Sequence, residues 1–494
     1  MVRRGAREGL LAAAAALAVY WAAARAYPEL GFAPFALADR VVRVTPGGMA
    51  TWFIDHLHHN AQRLLAASAT VLFVVAGVAL GVLARRLRGR GAVVGGALFG
   101  ALCLAAALAN PVPTGAAAPE GAVSEGALFG ALLWLARRPP RAAPAPDLER
   151  RRALIWIGSA AAAVIGGVFL SPLVAPRSRV TLLGDLARRL SAAQSASLPR
   201  IPGLSAAVTS VADHYVVDID IDDPIVDAGS WRLNVEGEVG TPMTLGFDEL
   251  QQGFRLVQEY AALSCISNPV GGPLVGNSLW EGVRLRDLLT AARPAAGASE
   301  VIFRCADGYS VGVPLQRAMH PSSLVAIAQD GQPLAREHGF PCRIRIPALY
   351  GMMNAKWVTS IALTARPYLG YWARQGWSAS GVVRTESRID TPRSSASLGE
   401  PTWIAGVAWA GLRGIRRVEA STDGGRSWRN ARVEPPLSPY AWTRWALRWT
   451  PRKRGEYELV CRATDGTGEL QDPRVRPPHP SGASGYHRVG VSVA

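Results

Sequence analysis

Apolar runs alternate with arginine clusters through the first third of this 494-residue chain, and that alternation limits its fold more than any other feature. The runs lie at about 9–27, 64–84, 91–109, 122–136 and 153–171. Most approach the ~20 residues that carry a helix across ~30 Å of hydrocarbon, and the fourth is short. Arg3, Arg4 and Arg7 precede the first run, and Arg85, Arg86, Arg88 and Arg90 separate the second from the third. Arg137, Arg138, Arg141, Arg150, Arg151 and Arg152 separate the fourth from the fifth. The intervening loops, 28–62 and 110–121, hold only Arg40 and Arg43. An excess of positive charge marks cytoplasmic loops. About five transmembrane helices over 1–171 are therefore expected, with a cytoplasmic N-terminus and all that follows residue 171 outside the plasma membrane.

The formal charge of +16 then needs no nucleic-acid partner, because the first 171 residues, with 17 Arg and 8 acids, hold more than half of it. A hydrophobic content of 49% with only 18% charged residues excludes a disordered chain. A removable signal peptide explains one apolar run but not five. Arg151-Arg152-Ala-Leu-Ile has the form of a twin-arginine export signal, and ordinary inside charges explain it equally well. His56, His58 and His59 sit just before the second run, and no other run contains a histidine. A haem held between helices would lack its second ligand and is not expected.

Residues 172–205, rich in small and turn-forming residues, read as a linker. Period-two alternation over 215–221 and 231–237 predicts half-buried strands. Short helical patches follow at 248–250 and 284–289, so 206–375 reads as an α+β domain. Strand patterns at 402–409, 415–420, 442–449 and 456–462, with a Thr422-Asp-Gly-Gly425 turn, predict an immunoglobulin-like β-sandwich over 381–494. Its tryptophans are expected in the core. No glycine-rich nucleotide fingerprint is present.

The five cysteines, 103, 265, 305, 342 and 461, have no CxxC spacing, which excludes a zinc ribbon or thioredoxin motif. Cys103 falls in an apolar run. Cys305, Cys342 and Cys461 fall in strand patterns, as buried thiols or partners in a disulfide. Cys265 differs, because it lies where Tyr260-Ala-Ala-Leu-Ser264 gives way to Ile266-Ser-Asn-Pro-Val-Gly-Gly-Pro273. A cysteine at a strand end before a Gly/Pro loop can present its sulfur to a cavity.

This loop, His338-Gly-Phe-Pro-Cys-Arg343 and Pro347 to Trp357 together resemble the molybdopterin-binding domain of the sulfite oxidase superfamily. Ser-Cys265-x-x-Asn268 with Asn277-x-x-Trp280 is similar to its membrane-anchored bacterial branch, and the sandwich resembles its dimerisation domain. The resemblance implies one molybdenum–molybdopterin per chain, with the Cys265 thiolate as metal ligand and catalytic residue. His338, Arg343 and the stretch Asn354-Ala355-Lys356 would hold the pterin and its phosphate, and Asp307 and Tyr215 would make further contacts. A soft thiolate suits such a centre, and Arg and Lys suit phosphate.

Sulfite oxidases follow the ligand with Cys-x-x-Asn-Arg-Arg, whereas Pro269 and Val270 stand here in place of the arginines. A doubly charged anion without paired cations is disfavoured, so the expected substrate is small and not sulfite. The expected activity is two-electron or oxygen-atom transfer. Open alternatives are reduction of sulfoxide-type substrates coupled to membrane quinone or a separate haem protein, and a non-catalytic exported binding protein with a relic domain. A homodimer through the C-terminal domain and contact with membrane lipid complete the expected partners.

Overall fold

The computed structural model describes residues 2–27, 30–46, 49, 52–53, 57, 60–110, 118–137, 198–221 and 223–494. They fall into two compact units, 1–178 with 218–225, and 179–217 with 226–494. The first unit holds the helices α1 (Val2–Ala26), α2 (Ala33–Val44), α3 (Asn60–Arg86), α4 (Gly91–Ala109) and α5 (Ala118–Arg137). Three of them, α1, α3 and α4, are long and apolar enough to cross a membrane. The expected fourth span is α5, a 20-residue helix that carries Glu120 and Glu125. The expected fifth span, the arginines at 138–152, linker residues 172–197 and His56, His58 and His59 lie outside the described residues.

Small residues let these helices meet backbone to backbone, as apolar surroundings require when no hydrophobic force drives helices together. A side chain on Gly96 of α4 would come 2.9 Å from Gly130 Cα of α5, and Gly126 faces Gly100 as closely. Gly5 and Gly9 of α1 meet Gly77 and Gly81 of α3 in the same way. Phe99 stacks on Phe129 with centroids 4.4 Å apart in the middle of the bundle. Leu72, Val75, Val93 and Leu98 are exposed on its outside, a face suited to lipid.

Two expectations need correction here. The loop 28–62 contains α2, begun by a proline in its first turn and burying Ala33, Ala36 and Ala38. The expected strand at 215–221 does not form. Its alternation is real, but 218–221 bonds to helices instead of to a neighbouring strand. Asp39 accepts from Ile221 N (2.7 Å), Gln62 donates to Asp218 O (2.9 Å), and Arg43 pairs with Asp220.

In the second unit, one five-stranded sheet runs in the order Met243–Leu245, Leu233–Gly237, Val358–Thr364, Glu300–Cys305, Ser310–Pro314. Only the Leu233–Gly237 and Val358–Thr364 pair is parallel. A second sheet joins Leu256–Ser264, Val275–Arg284 and Leu324–Gln329, with Arg343–Arg345 also paired to the last. Short helices Phe247–Gly253 and Leu285–Ala292 stand where the helical patches predict them. This is the expected mixture of strands and short helices.

The C-terminal region is a β-sandwich. One sheet runs Glu386–Thr391, Thr402–Trp409, Thr443–Trp449, Arg432–Val433. The other runs Ser395–Ala396, His487–Val493, Gly455–Asp465, Ile415–Ser421, Arg429–Asn430. Ile404, Trp445, Val418, Leu459 and Cys461 fill the space between them. Trp445 and Trp449 lie in that core, as expected. The end of the linker is not a free tether. Leu198 and Ile201 pack on Ala405 and Ala446 of the sandwich, and Ser205 N donates to Asp390 (3.1 Å). Ala207 O accepts from both Trp442 (3.1 Å) and Asn277 (2.8 Å), which joins the sandwich to strand Val275–Arg284.

Candidate active site

Strand Leu256–Ser264 lies antiparallel to Val275–Arg284, and Ser264 opposite Val275 is its last paired residue. Cys265 is therefore the first residue released from the sheet. Its backbone N–H donates to Leu274 O (2.9 Å), and Asn268 Oδ1 accepts from Leu274 N (2.9 Å). Asn268 thus ties the loop to its own base and fixes where the sulfur points. The Cys265 sulfur lies 3.0 Å from Ser267 Oγ. The residue is buried, with 8% exposure against 7% for Cys305 and none for Cys342 and Cys461. Burial pushes the Cys461 thiol up to about 12 and the Cys342 thiol higher still, so both are inert fillers. No disulfide joins the five cysteines.

Gly351 shows what meets Cys265. A side chain there would stand 2.8 Å from the Tyr215 hydroxyl and 3.9 Å from Cys265 Cα, so only glycine permits this approach. Tyr309, whose hydroxyl donates to Met352 O (2.6 Å), and Tyr350 are both buried within electrostatic reach of Cys265.

A second group is cationic. Arg343 and Arg345 alternate along their strand and so share a face, with both guanidiniums over the Trp280 ring at 5.2 and 5.7 Å. Arg343 donates to His338 O (3.1 Å) and Asn354 O (3.2 Å). Arg345 donates to Ile346 O, Asn354 Oδ1 and Ala262 O, all uncharged. Burial, and then Arg343, bring Arg345 down to about 9. The His338 ring lies 5.5 Å from that of His214. Burial, with His338 and Arg343 next, brings His214 down to about 3, so its imidazole is neutral.

Other expected residues take different places. The Asn354 side chain serves its own turn, bonding Ile346 N, Leu349 O and Tyr350 O at 2.6 to 3.0 Å. Ala355 O accepts from Ile344 N (2.8 Å). Lys356 bonds Glu337 O (2.7 Å) and covers the Trp357 ring, beside the segment that carries His338. Asp307 accepts from Tyr309 N (2.9 Å) and braces the turn from which Ala306 N donates to Trp357 O (2.8 Å), the residue after Lys356. His214, Trp280, Tyr309 and Arg345 escape the sequence reading as site residues. For Arg345 the i, i+2 spacing from Arg343 was the available signal.

Among the described residues no group of three or more His, Cys, Asp or Glu could hold a metal ion. A metal at Cys265 would therefore arrive with its own donors. The enclosed Arg345, whose side-chain hydrogen bonds run to neutral oxygens, favours an anionic guest. The Cys265 thiol in the same unit as this cation fits a metal-bearing ligand with a phosphate tail.

Residues 220–372 match the oxidoreductase molybdopterin binding domain, and 379–492 match the Mo-co oxidoreductase dimerisation domain. The chain is 29% identical to the sulfite oxidase of Gallus gallus over 303 residues, 51% of this chain and 66% of that one. It is 31% identical to the uncharacterized oxidoreductase YuiH of Bacillus subtilis over 188 residues, 38% of this chain and 91% of that one. Nitrate reductase of Hordeum vulgare is 27% identical, over 56% of this chain and 38% of its own. This chain thus spans less than two thirds of the sulfite oxidases it matches, 59% for that of Mus musculus. The sulfane dehydrogenase SoxCD of Paracoccus pantotrophus has a similar fold, with a TM-score of 0.52 at 23% identity over 60% of this chain and 86% of that one. On the matched domains and on YuiH, the chain belongs to the sulfite oxidase superfamily of molybdopterin oxidoreductases.

Proposed function

We propose that the protein is a membrane-anchored molybdenum-cofactor oxidoreductase that performs two-electron or oxygen-atom transfer on a small substrate other than sulfite. The observation that carries this reading is the Cys265 thiol, released at a strand end in the same unit as the enclosed His338, Arg343 and Arg345. When bound, a molybdenum–molybdopterin supplies the redox chemistry. This chain's own residues bind and orient it. Cys265 offers the thiolate, Arg343 and Lys356 the charge for a phosphate, and His214 a neutral ring that adds no third charge beside the arginines. Asp307, Asn354 and Ala355 set the turns that carry these groups. Tyr215 and Gly351 close the floor at Cys265.

Pro269 is exposed and Val270 lies near Gly485. Neither offers a sulfite dianion the cation pair it needs. The arginine pattern around the apolar runs supports an N-terminus in the cytoplasm of a cell with the catalytic unit outside its plasma membrane. The strand orders of the sandwich fit an immunoglobulin-like domain, since the two sheets read as A-B-E-D and A′-G-F-C-C′ when strands are lettered along the chain. The dimerisation-domain match favours a homodimer through 379–492.

Purified Cys265→Ser is the test. The expected result is a folded protein without turnover and with little bound molybdenum. Full turnover with normal molybdenum would overturn the reading.

A further inference from the structure

Electrons delivered to or from a buried centre must cross the protein shell, and tunnelling weakens exponentially with every ångström of gap. A file of aromatic rings begins at Tyr309, whose hydroxyl donates to Met352 O (2.6 Å), next to the Gly351 that packs against Cys265. Tyr309 lies 6.0 Å from Tyr371, Tyr371 5.1 Å from Trp372, Trp372 6.2 Å from Trp377, and Trp377 5.0 Å from His479, centroid to centroid. Each spacing lies within the range of direct ring contact. The file starts at the buried Tyr309; Tyr371, Trp372 and His479 along it are partly exposed, with Trp377 buried between the last two. It is held in place locally. Trp377 N donates to Trp372 O (3.0 Å), and Ser378 N to Pro480 O (2.9 Å), which fixes the 479 segment against the 371–377 turn.

We propose that the rings of Tyr309, Tyr371, Trp372, Trp377 and His479 are the electron route between the Cys265 site and a one-electron metalloprotein that docks over Trp372 and His479. The inference rests on the oxidoreductase reading above. Each two-electron turnover is balanced by two successive one-electron transfers along this route. The partner gains both electrons if the substrate is oxidised and loses both if it is reduced. No ring is itself oxidised or reduced: the packed rings strengthen the electronic coupling across the span, and each electron passes between the centre and the partner in one step.

The docking surface has its own signature. Leu369 is 55% exposed next to the file, and Arg304, Arg366 and Arg374 are exposed near it. Arg304 and Arg374 both act on Tyr368 in the same patch. An apolar spot with a basic border fits an acidic carrier, whose approach such charges accelerate.

The test uses the full-length, cofactor-loaded protein with a ruthenium photosensitiser on Ala379→Cys. The site is exposed beside Trp377, and labelling is selective because the five native cysteines are buried. A control carries the label on Thr450→Cys, an exposed position in the sandwich. After a flash, the rate at which the reduced centre refills the oxidised label is read optically. Refilling should be at least tenfold faster from position 379 than from 450. It should fall at least tenfold in Trp377→Leu and in Trp372→Leu, and stay within a few-fold in Trp377→Phe, with molybdenum content unchanged throughout. Equal rates from both label positions, or rates indifferent to the Leu variants in loaded protein, would overturn the route while leaving the oxidoreductase reading intact. Wild-type protein that binds no molybdenum would remove both. Trp372 is only partly buried, so its Leu variant decides the matter even if Trp377→Leu fails to fold.

Discussion

At Arg345 the guanidinium is enclosed, yet its bonds run to the oxygens of Ile346, Asn354 and Ala262. A buried cation so placed gains most when an anion arrives. Arg345→Met should therefore fold and lose molybdopterin at least tenfold faster on dialysis, because a charge-assisted hydrogen bond contributes about 1.5–3 kcal/mol. Phosphorus and molybdenum per chain read this directly. His214 makes a pH prediction. Its folded value, about 3, is depressed below the usual 6.5, so the unfolded chain binds the proton more readily between those limits. Stability therefore rises with pH across that window and is lost as pH falls through it, by up to about 1.4 kcal/mol per pH unit. His214→Phe should flatten this acid limb in urea titrations; an unchanged slope would show that the imidazole is not enclosed. Cys265 was singled out in the sequence by its place before a Gly/Pro loop together with the resemblance carried by residues 338–343 and 347–357. Arg345 was not, because Arg-Ile-Arg-Ile reads as an ordinary alternating edge strand, and only tertiary packing on Trp280 brings both arginines inside.

Helices and strands divide by how far their signal is local. Four sandwich strands were legible almost to the residue, since 402–409 and 415–420 alternate cleanly and turns separate them, whereas Glu386–Thr391 and His487–Val493 were not seen. The apolar runs gave α1, α3 and α4 because hydropathy alone decides them. The 215–221 segment misled because its period-two pattern serves side chains of α2 and α3 and no neighbouring strand. α2 hid inside a loop because twelve residues with a mixed pattern fall below the spanning length. The α4–α5 contact predicts its own failure. Gly126→Val would drive a branched side chain into Gly100, so the bundle should lose about 1–3 kcal/mol, the usual cost of overpacking. Thermal unfolding in detergent measures it, and an unchanged midpoint would argue against this pairing.

For the whole chain, the two units have separate demands. The helical unit exposes Leu72, Val75, Val93 and Leu98, so the protein should stay with membranes through alkaline carbonate extraction. Reporter fusions after residue 205 should be active only outside the cytoplasm, if the arginine pattern sets the orientation. Family and cofactor class were legible from short motifs spread over 290 residues of sequence, 205–494. Substrate choice was not, because it depends on how side chains from separate segments come together around Cys265, which no local pattern encodes. X-ray absorption at the molybdenum edge, on wild type and on any metal retained by Cys265→Ser, addresses the thiolate bond itself. The wild-type metal should have one more sulfur neighbour than the variant; identical sulfur shells would mean that Cys265 does not bind it.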